Sequence, residues 1–306
     1  MNTSNRARPR PAARGESYVV RLATDAAGAR ALADRLAESL DGADAACAAF
    51  ARPNGRWQVD LHFRTRPALR PLRALIALAG GERLARSIKV ARLAPRDWVR
   101  SSLVDLVPVR AGRFVVHGAH DRSRVPLHAV AIEIEAATAF GTGHHGTTRG
   151  CLVALDALAR RTRPRRVLDL GTGTGVLAVA AAKLWHVPVL ASDIDHRAVA
   201  VARANARLNR AAPTVMVAQA AGLNSPRIAA RAPYDLVLAN ILLAPLKRLA
   251  APIARHLRPN GRVVLSGILV TQAAAAISAY RSQGFVVERA LVLDGWTTLV
   301  MRGPRR

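Results

Sequence analysis

The chain has 306 residues, 51% apolar and 4% aromatic, and 46 Lys and Arg against 20 Asp and Glu leave a net charge of +26. That length suits one large domain and one small one with aliphatic cores. No run of eighteen apolar residues offers a membrane span, and two distant cysteines, Cys47 and Cys151, exclude a disulfide scaffold and point to a reducing cytoplasm. A charge this high draws a protein to nucleic acid or to a ribonucleoprotein. Arginine supplies nearly all of it, with lysine only at Lys89, Lys183 and Lys247, so the bias also reads as that of a GC-rich genome.

Residues 1–15 are Arg- and Pro-rich, lack the apolar centre of a secretory signal and read as a disordered tail. From 16 to 94 the pattern is strand, helix, strand, strand, helix, strand. Ser17–Ala23 is a strand, and Asp25–Leu40 an amphipathic helix with Leu32, Leu36 and Leu40 on one stripe. Ala45–Ala51 and Arg56–Arg64 flank Pro53-Asn54-Gly55, a strong hairpin signal. Ala68–Ala79 is a helix stopped by Gly80-Gly81, and Ser87–Leu93 is a strand. This order is that of a small α+β ferredoxin-like domain. Residues 95–135 read as a connector, with a helix over Pro95–Leu106 that buries Trp98 and strands at Gly112–His117 and Val130–Glu135.

The domain from 136 to 306 opens on Ala139–Thr148, a stretch too rich in glycine, hydroxyls and imidazoles for a core and suited to a loop over a ligand. Thr147 or Thr148 is placed to cap the helix running to Arg160. His144 and His145 have no third ligand at useful spacing, so a metal is not expected.

The centre of the chain is Arg166-Val-Leu-Asp-Leu-Gly-Thr-Gly-Thr-Gly175, where a short apolar strand carrying Asp169 breaks into Gly171, Gly173 and Gly175 before an alanine-rich helix. Such a turn lets a ligand approach the backbone and aims the first helical amides at it. A dinucleotide fold wants Gly-x-Gly-x-x-Gly, and here the third glycine comes one residue early. That spacing resembles the pattern of S-adenosylmethionine-dependent methyltransferases of the Rossmann-like class. About twenty residues on, Val189–Asp195 is a second strand ending in acids. Asp193 is placed to grip ribose hydroxyls, unless it is a solvated strand end, and Asp195 begins the helix to Asn209 as its N-cap.

Further strands are expected at Thr214–Gln219, Tyr234–Asn240 and Arg262–Leu265, then Gly284–Leu293 and Thr297–Arg302. Helices fill Leu246–Leu257, stopped by Pro259-Asn260-Gly261, and Thr271–Gln283. Alternating strands and helices imply an α/β fold, a Rossmann-like, seven-stranded, doubly wound sheet. The final strand-to-strand step implies an antiparallel edge strand. Gly171, Asp193 and Asn240 all end strands, where ligands bind on such sheets. A methyl transfer needs its nucleophile oriented. The Asn240 carbonyl at the end of the fourth strand suits that task for an amine, with Pro245 stiffening the loop behind it. The competing role for Asn240 is to cap the next helix.

Five stretches carry a specific resemblance: Phe140-Gly-Thr-Gly-His-His-Gly-Thr-Thr148, Val167 to Gly175, Ser192-Asp-Ile-Asp195, Ala239-Asn-Ile-Leu-Leu-Ala-Pro-Leu246 and Leu265-Ser-Gly-Ile-Leu269. In this order the chain resembles the PrmA family, the ribosomal protein L11 methyltransferases. The likeness runs from about residue 95 to the C-terminus and is topological over 16–94. It implies N-methylation of lysine ε-amines and of the N-terminal α-amine of ribosomal protein L11 from S-adenosyl-L-methionine. It also implies that the N-terminal domain presents that substrate and that the linker lets it swing. By the resemblance, cofactor contacts fall on Thr148, Gly171, Gly173, Asp193 and Asn240, with Phe140 near the pocket and Asn240 catalytic. Three rivals stand beside it. They are a methyltransferase acting on RNA or another protein, a non-catalytic S-adenosylmethionine- or RNA-binding assembly factor, and a nicotinamide oxidoreductase. The last lacks an evident Tyr-x-x-x-Lys.

Overall fold

The computed structural model describes residues 17–25, 28, 29, 32, 36, 45–51, 56–63, 65–93, 108–134 and 146–305. Several expected features lie outside the described residues: the tail, most of the Asp25–Leu40 helix, the Pro53-Asn54-Gly55 turn, the Pro95–Leu106 helix, and the loop through Phe140, His144 and His145. The chain divides into two units, Met1–Ser101 and Ser102–Arg306.

In the first unit, strands β1 (Ser17–Thr24), β2 (Ala45–Ala51), β3 (Trp57–Phe63) and β4 (Val90–Leu93) form one sheet in the order β2-β3-β1-β4. Every neighbouring pair is antiparallel, which is the ferredoxin-like arrangement. Val20, Leu22, Val59 and Leu61 alternate along β1 and β3 and put their side chains into one core. Leu72 and Ile76, four apart on helix α1 (Leu69–Gly80), enter that core, as do Leu32 and Leu36 from the expected apolar stripe. At the end of α1, Gly81 (φ 91°) donates its N–H to the Ala77 carbonyl. The chain does not go straight to a strand there. Glu82-Arg-Leu-Ala-Arg86, all good helix formers, make a further short helix, α2, so the last strand starts at Val90 rather than Ser87.

The second unit is built on seven strands. They are β8 (Val167–Leu170), β9 (Val189–Asp193), β10 (Val215–Gln219), β11 (Tyr234–Asn240), β12 (Leu257–Leu269), β13 (Val286–Leu293) and β14 (Trp296–Arg302). Their spatial order is β10-β9-β8-β11-β12-β14-β13, with β10 through β12 mutually parallel. Helices cover both faces. On one side lie α3 (Gly146–Ala159), α4 (Val176–Trp185) and α5 (His196–Leu208), which bury Leu155, Val179 and Ala202. A one-turn helix, α6 (Pro226–Ala229), precedes β11. On the other side α7 (Leu243–His256) and α8 (Ala273–Arg281) bury Leu246, Ile253 and Tyr280. With both faces covered, β8 and β11 carry almost uninterrupted apolar runs.

The antiparallel strand is present, but it is not the edge. β14 lies between β12 and β13, antiparallel to both, and β13 takes the edge. Leu293 pairs with Trp296 across Asp294-Gly295, whose φ angles of 51° and 81° mark a type I′ turn, so the two strands must be neighbours. Burial then decides which lies inside. β14 is buried from Thr297 to Met301, whereas β13 is mostly exposed. A second difference concerns Pro259-Asn260-Gly261. α7 ends at His256, and β12 begins at once. Its register on β11 slips between Tyr234 and Leu236, and that slip absorbs residues 258–261.

Residues 108–134, expected as part of a connector, belong to this second unit. Strands β5 (Val109–Ala111), β6 (Phe114–His117) and β7 (Val130–Glu133) form a three-stranded sheet whose Phe114, Val116 and Ile132 are buried in the core of α3 and α4. The free edge of β7 is satisfied by side chains. The Asn209 amide donates to the Glu133 carbonyl (2.6 Å) and accepts its N–H (2.9 Å), and Lys183 Nζ donates to the Ala131 carbonyl (2.6 Å). Glu133 in turn accepts a bidentate pair from Arg122 at 2.7–2.9 Å.

Candidate active site

β8 delivers the chain to the glycine turn. Gly171, Gly173 and Gly175 have φ of 66°, 54° and 82°, a region that side-chain-bearing residues seldom enter. The turn is tied down on each side. Thr172 donates its N–H to the Ser192 carbonyl at the end of β9 (3.0 Å), and Asn205 of α5 donates to the Thr174 carbonyl (2.8 Å). Below it, Asp169 is 1% exposed. Its Oδ2 accepts the Thr172 hydroxyl at 2.6 Å, and the Ala178 N–H also favours its charged form. Burial pushes this carboxyl from 3.8 up to about 7, against the lowering pull of Thr172, with the Asp193 charge adding to the rise. In the sequence Asp169 is legible only as the acid before the glycines; its complete burial is a tertiary fact.

Asp193, at the end of β9, is not an idle solvated acid. Oδ2 accepts the Gly173 N–H (2.9 Å) and Oδ1 accepts the Asp195 N–H (3.0 Å). Each oxygen keeps a second lone pair, so the carboxylate holds the glycine turn and can still accept two hydroxyl groups. Asp195 has the expected place: it is the N-cap of α5 and accepts the Arg197 N–H at 2.9 Å.

Asn240 ends β11, beside Ser266 of β12 in register. Its role is not to cap α7. The N-cap of that helix is Leu242, and Pro245 lies in its first turn rather than in a loop. The Asn240 Nδ2 instead points at the hydroxyls of Thr147 (3.4 Å) and Thr148 (3.3 Å). These threonines are buried within the first turn of α3, which starts at Gly146, so they face Asn240 and do not serve as caps outside the helix. The only sequence signal at Thr147, a hydroxyl before an apolar run, is that of a cap, and the fold alone brings it to Asn240. With Nδ2 engaged, Oδ1 is the amide atom left to accept an N–H.

One edge of the parallel sheet thus gathers Gly171, Gly173, Asp193, Asn240 and Thr148, while Phe140 lies outside the described residues. A sheet of this order, with a glycine turn after its central strand, an acid ending the next and an asparagine ending the fourth, is that of the Rossmann-like methyltransferases. The residues fit S-adenosylmethionine, the methyl donor of that class. The glycine turn opens backbone toward a ligand, and the free lone pairs of Asp193 suit ribose hydroxyls.

The family model described as ribosomal protein L11 methyltransferase (PrmA) matches residues 35–304. Proteins named ribosomal protein L11 methyltransferase from Rhodopseudomonas palustris (strain BisB5) and Bradyrhizobium diazoefficiens are each 54% identical, over 277 and 276 residues, or 90% of this chain and 94% of theirs. The crystal structure of a ribosomal protein L11 methylase from Lactobacillus delbrueckii subsp. bulgaricus is similar with a TM-score of 0.59 at 26% identity, covering 65% of this chain and 99% of that one. The chain belongs to the ribosomal protein L11 methyltransferase (PrmA) family.

Proposed function

We propose that this chain transfers methyl groups from S-adenosyl-L-methionine to lysine ε-amines and the N-terminal α-amine of ribosomal protein L11. The observation that carries this reading is the approach of Asn240 to Thr147 and Thr148 at the edge that also holds Asp193 and the glycine turn. When bound, the cofactor supplies a methyl group activated on a sulfonium. Gly171, Gly173 and Asp193 would hold it, with Thr148 and Asn240 beside it. The chain's remaining task is to present a neutral amine. Asn240 Oδ1 accepts one N–H and so aims the nitrogen lone pair, while the amine's proton is released to water. Residues 16–94 present the substrate, and the methyltransferase domain of 136–306 also takes in residues 108–134, which pack into its core.

Among the described residues no helix is long and apolar enough to cross a membrane, and we place the activity in the cytoplasm, on free L11 or on the large ribosomal subunit. The net charge of +26 favours an additional, non-specific contact with RNA. RNA as the substrate is disfavoured, since the fourth strand ends in Asn240-Ile-Leu-Leu243 and not in a Pro-Pro-aromatic run. The test is a transfer assay with methyl-labelled cofactor and three acceptors: L11, total ribosomal proteins and ribosomal RNA. Label mapped by mass spectrometry to L11 lysines and its α-amine supports the reading. Label confined to RNA or to another protein refutes it.

A further inference from the structure

Asn240 is held by two long hydrogen bonds, 3.3 and 3.4 Å, which by themselves fix an amide loosely. Its backbone must therefore set its place, and the next residue shows how. Ile241 sits between Gly171, the residue after β8, and Gly267, which lies within β12 near its C-terminal end. On the β8 side, a Cβ at Gly171 would fall well inside 3.0 Å of Ile241 Cγ2. On the β12 side, a Cβ at Gly267 would stand 2.8 Å from the Ile241 carbonyl carbon and 3.0 Å from its nitrogen, with the carbonyl oxygen nearer still. Both glycines are left-handed, at 66° and 81°.

The seat is braced from the far side. Ile241 donates its N–H to the Ser266 carbonyl (3.2 Å), and Ser266 is fully buried with its Oγ 2.9 Å from Thr298 Oγ1. The β12–β14 register slips between Leu265 and Ile268, so Gly267 occupies a bulge, a device that re-aims neighbouring backbone beside sites. Thus the side chain of Ile241 fills the space above one glycine, and its backbone fills the space above the other.

We propose that Ile241, seated between Gly171 and Gly267, is a positioning residue that keeps Asn240 in register with the glycine turn. The inference rests on the function proposed above in taking Asn240 as the group that aims the amine. Ile241 acts through its neighbours, and Gly267 is required because any side chain there meets the Ile241 backbone.

The test uses the full chain and six variants: Gly267→Ala, Ile241→Ala, Gly171→Ala, Ile241→Leu, and each glycine variant combined with Ile241→Leu. Leucine carries no methyl at Cβ, so it removes the atom that a Cβ at 171 would strike and leaves the backbone that a Cβ at 267 would strike. Cofactor affinity is read by calorimetry, and kcat and KM by transfer to L11. Gly267→Ala and Ile241→Ala are expected to lower kcat by about tenfold to a hundredfold, with cofactor Kd within about threefold of the parent. Gly171→Ala is expected to weaken cofactor binding, Ile241→Leu to restore part of it, and the same change to leave Gly267→Ala unrescued.

Turnover within about twofold of the parent in folded Ile241→Ala overturns the proposal, as does additivity of Gly171→Ala and Ile241→Leu in cofactor affinity. If Gly267→Ala does not fold, those two results decide. If the parent protein leaves L11 unlabelled, the functional reading fails. The cofactor cycle at 171 and 241 needs no substrate and still judges the seat.

Discussion

In the four-stranded sheet every neighbour is antiparallel, so the C-terminal ends of adjacent strands fall on opposite sides of the sheet. In the seven-stranded sheet β8, β9, β11 and β12 run one way, so the loops that follow them meet at one edge. Gly171, Asp193, Asn240 and Gly267, nearly a hundred residues apart in sequence, come together for that reason alone. The antiparallel sheet gathers no such set of strand ends. It offers a face and a helix layer, which suits presenting a substrate better than transforming one. A parallel sheet concentrates chemistry; an antiparallel one of this size spreads its strand ends.

The comparison breaks most easily at the core of the small sheet. Ile76, fully buried under that sheet, becomes a cavity in Ile76→Ala, with an expected loss of about 2–5 kcal/mol for the first unit. Thermal unfolding followed with and without cofactor checks the division of labour. Transfer to L11 should fall while cofactor affinity holds, and a parallel loss of both would tie the two sheets into one functional body.

On the parallel side, Asn240→Ala is expected to lower kcat by about a hundredfold and to change cofactor Kd little. Lost cofactor binding with normal turnover at saturation would reverse that assignment.

Asp169 sharpens the contrast through pH. Its folded carboxyl titrates at about 7 against 3.8 without the fold, so the folded chain binds the extra proton between those values. The stability it contributes is complete below about pH 4 and is lost as pH rises through 7. Asp169→Asn removes the slope. It should gain about 4 kcal/mol over the parent between pH 4 and pH 8, measured as urea midpoints at both ends. A pH-independent difference would show that the buried carboxylate carries no strain.

The smallest effects separate two adjacent acids. Asp193→Ala is expected to cost about 1–3 kcal/mol of cofactor binding. Asp195→Ala, which removes only a helix cap, should cost about 1 kcal/mol of stability and leave cofactor affinity unchanged. Equal effects on binding would erase the distinction between them.

Much of this was legible because the signals are local. The glycine turn, the acid ending β9, the apolar run of β11 and the Asp195 cap each follow from backbone conformations or burial demands that a few consecutive residues declare. The misses share one cause, a competition that only packing resolves. Thr147 and Thr148 carry the signature of a cap, yet the helix begins ahead of them and turns their hydroxyls to Asn240. Residues 108–134 read as a connector, yet their apolar residues find a core on α3 and α4. By itself, then, the sequence determined the parallel sheet, the glycine turn and acid at its strand ends, and the family, because periodicity and turn chemistry are properties of neighbours along the chain. Only the tertiary structure decided that β14 lies inside the edge, that Asp169 is buried in the interior and that Ile241 is clasped between two glycines. Those outcomes depend on which surfaces remain for segments distant in sequence once the parallel core has closed.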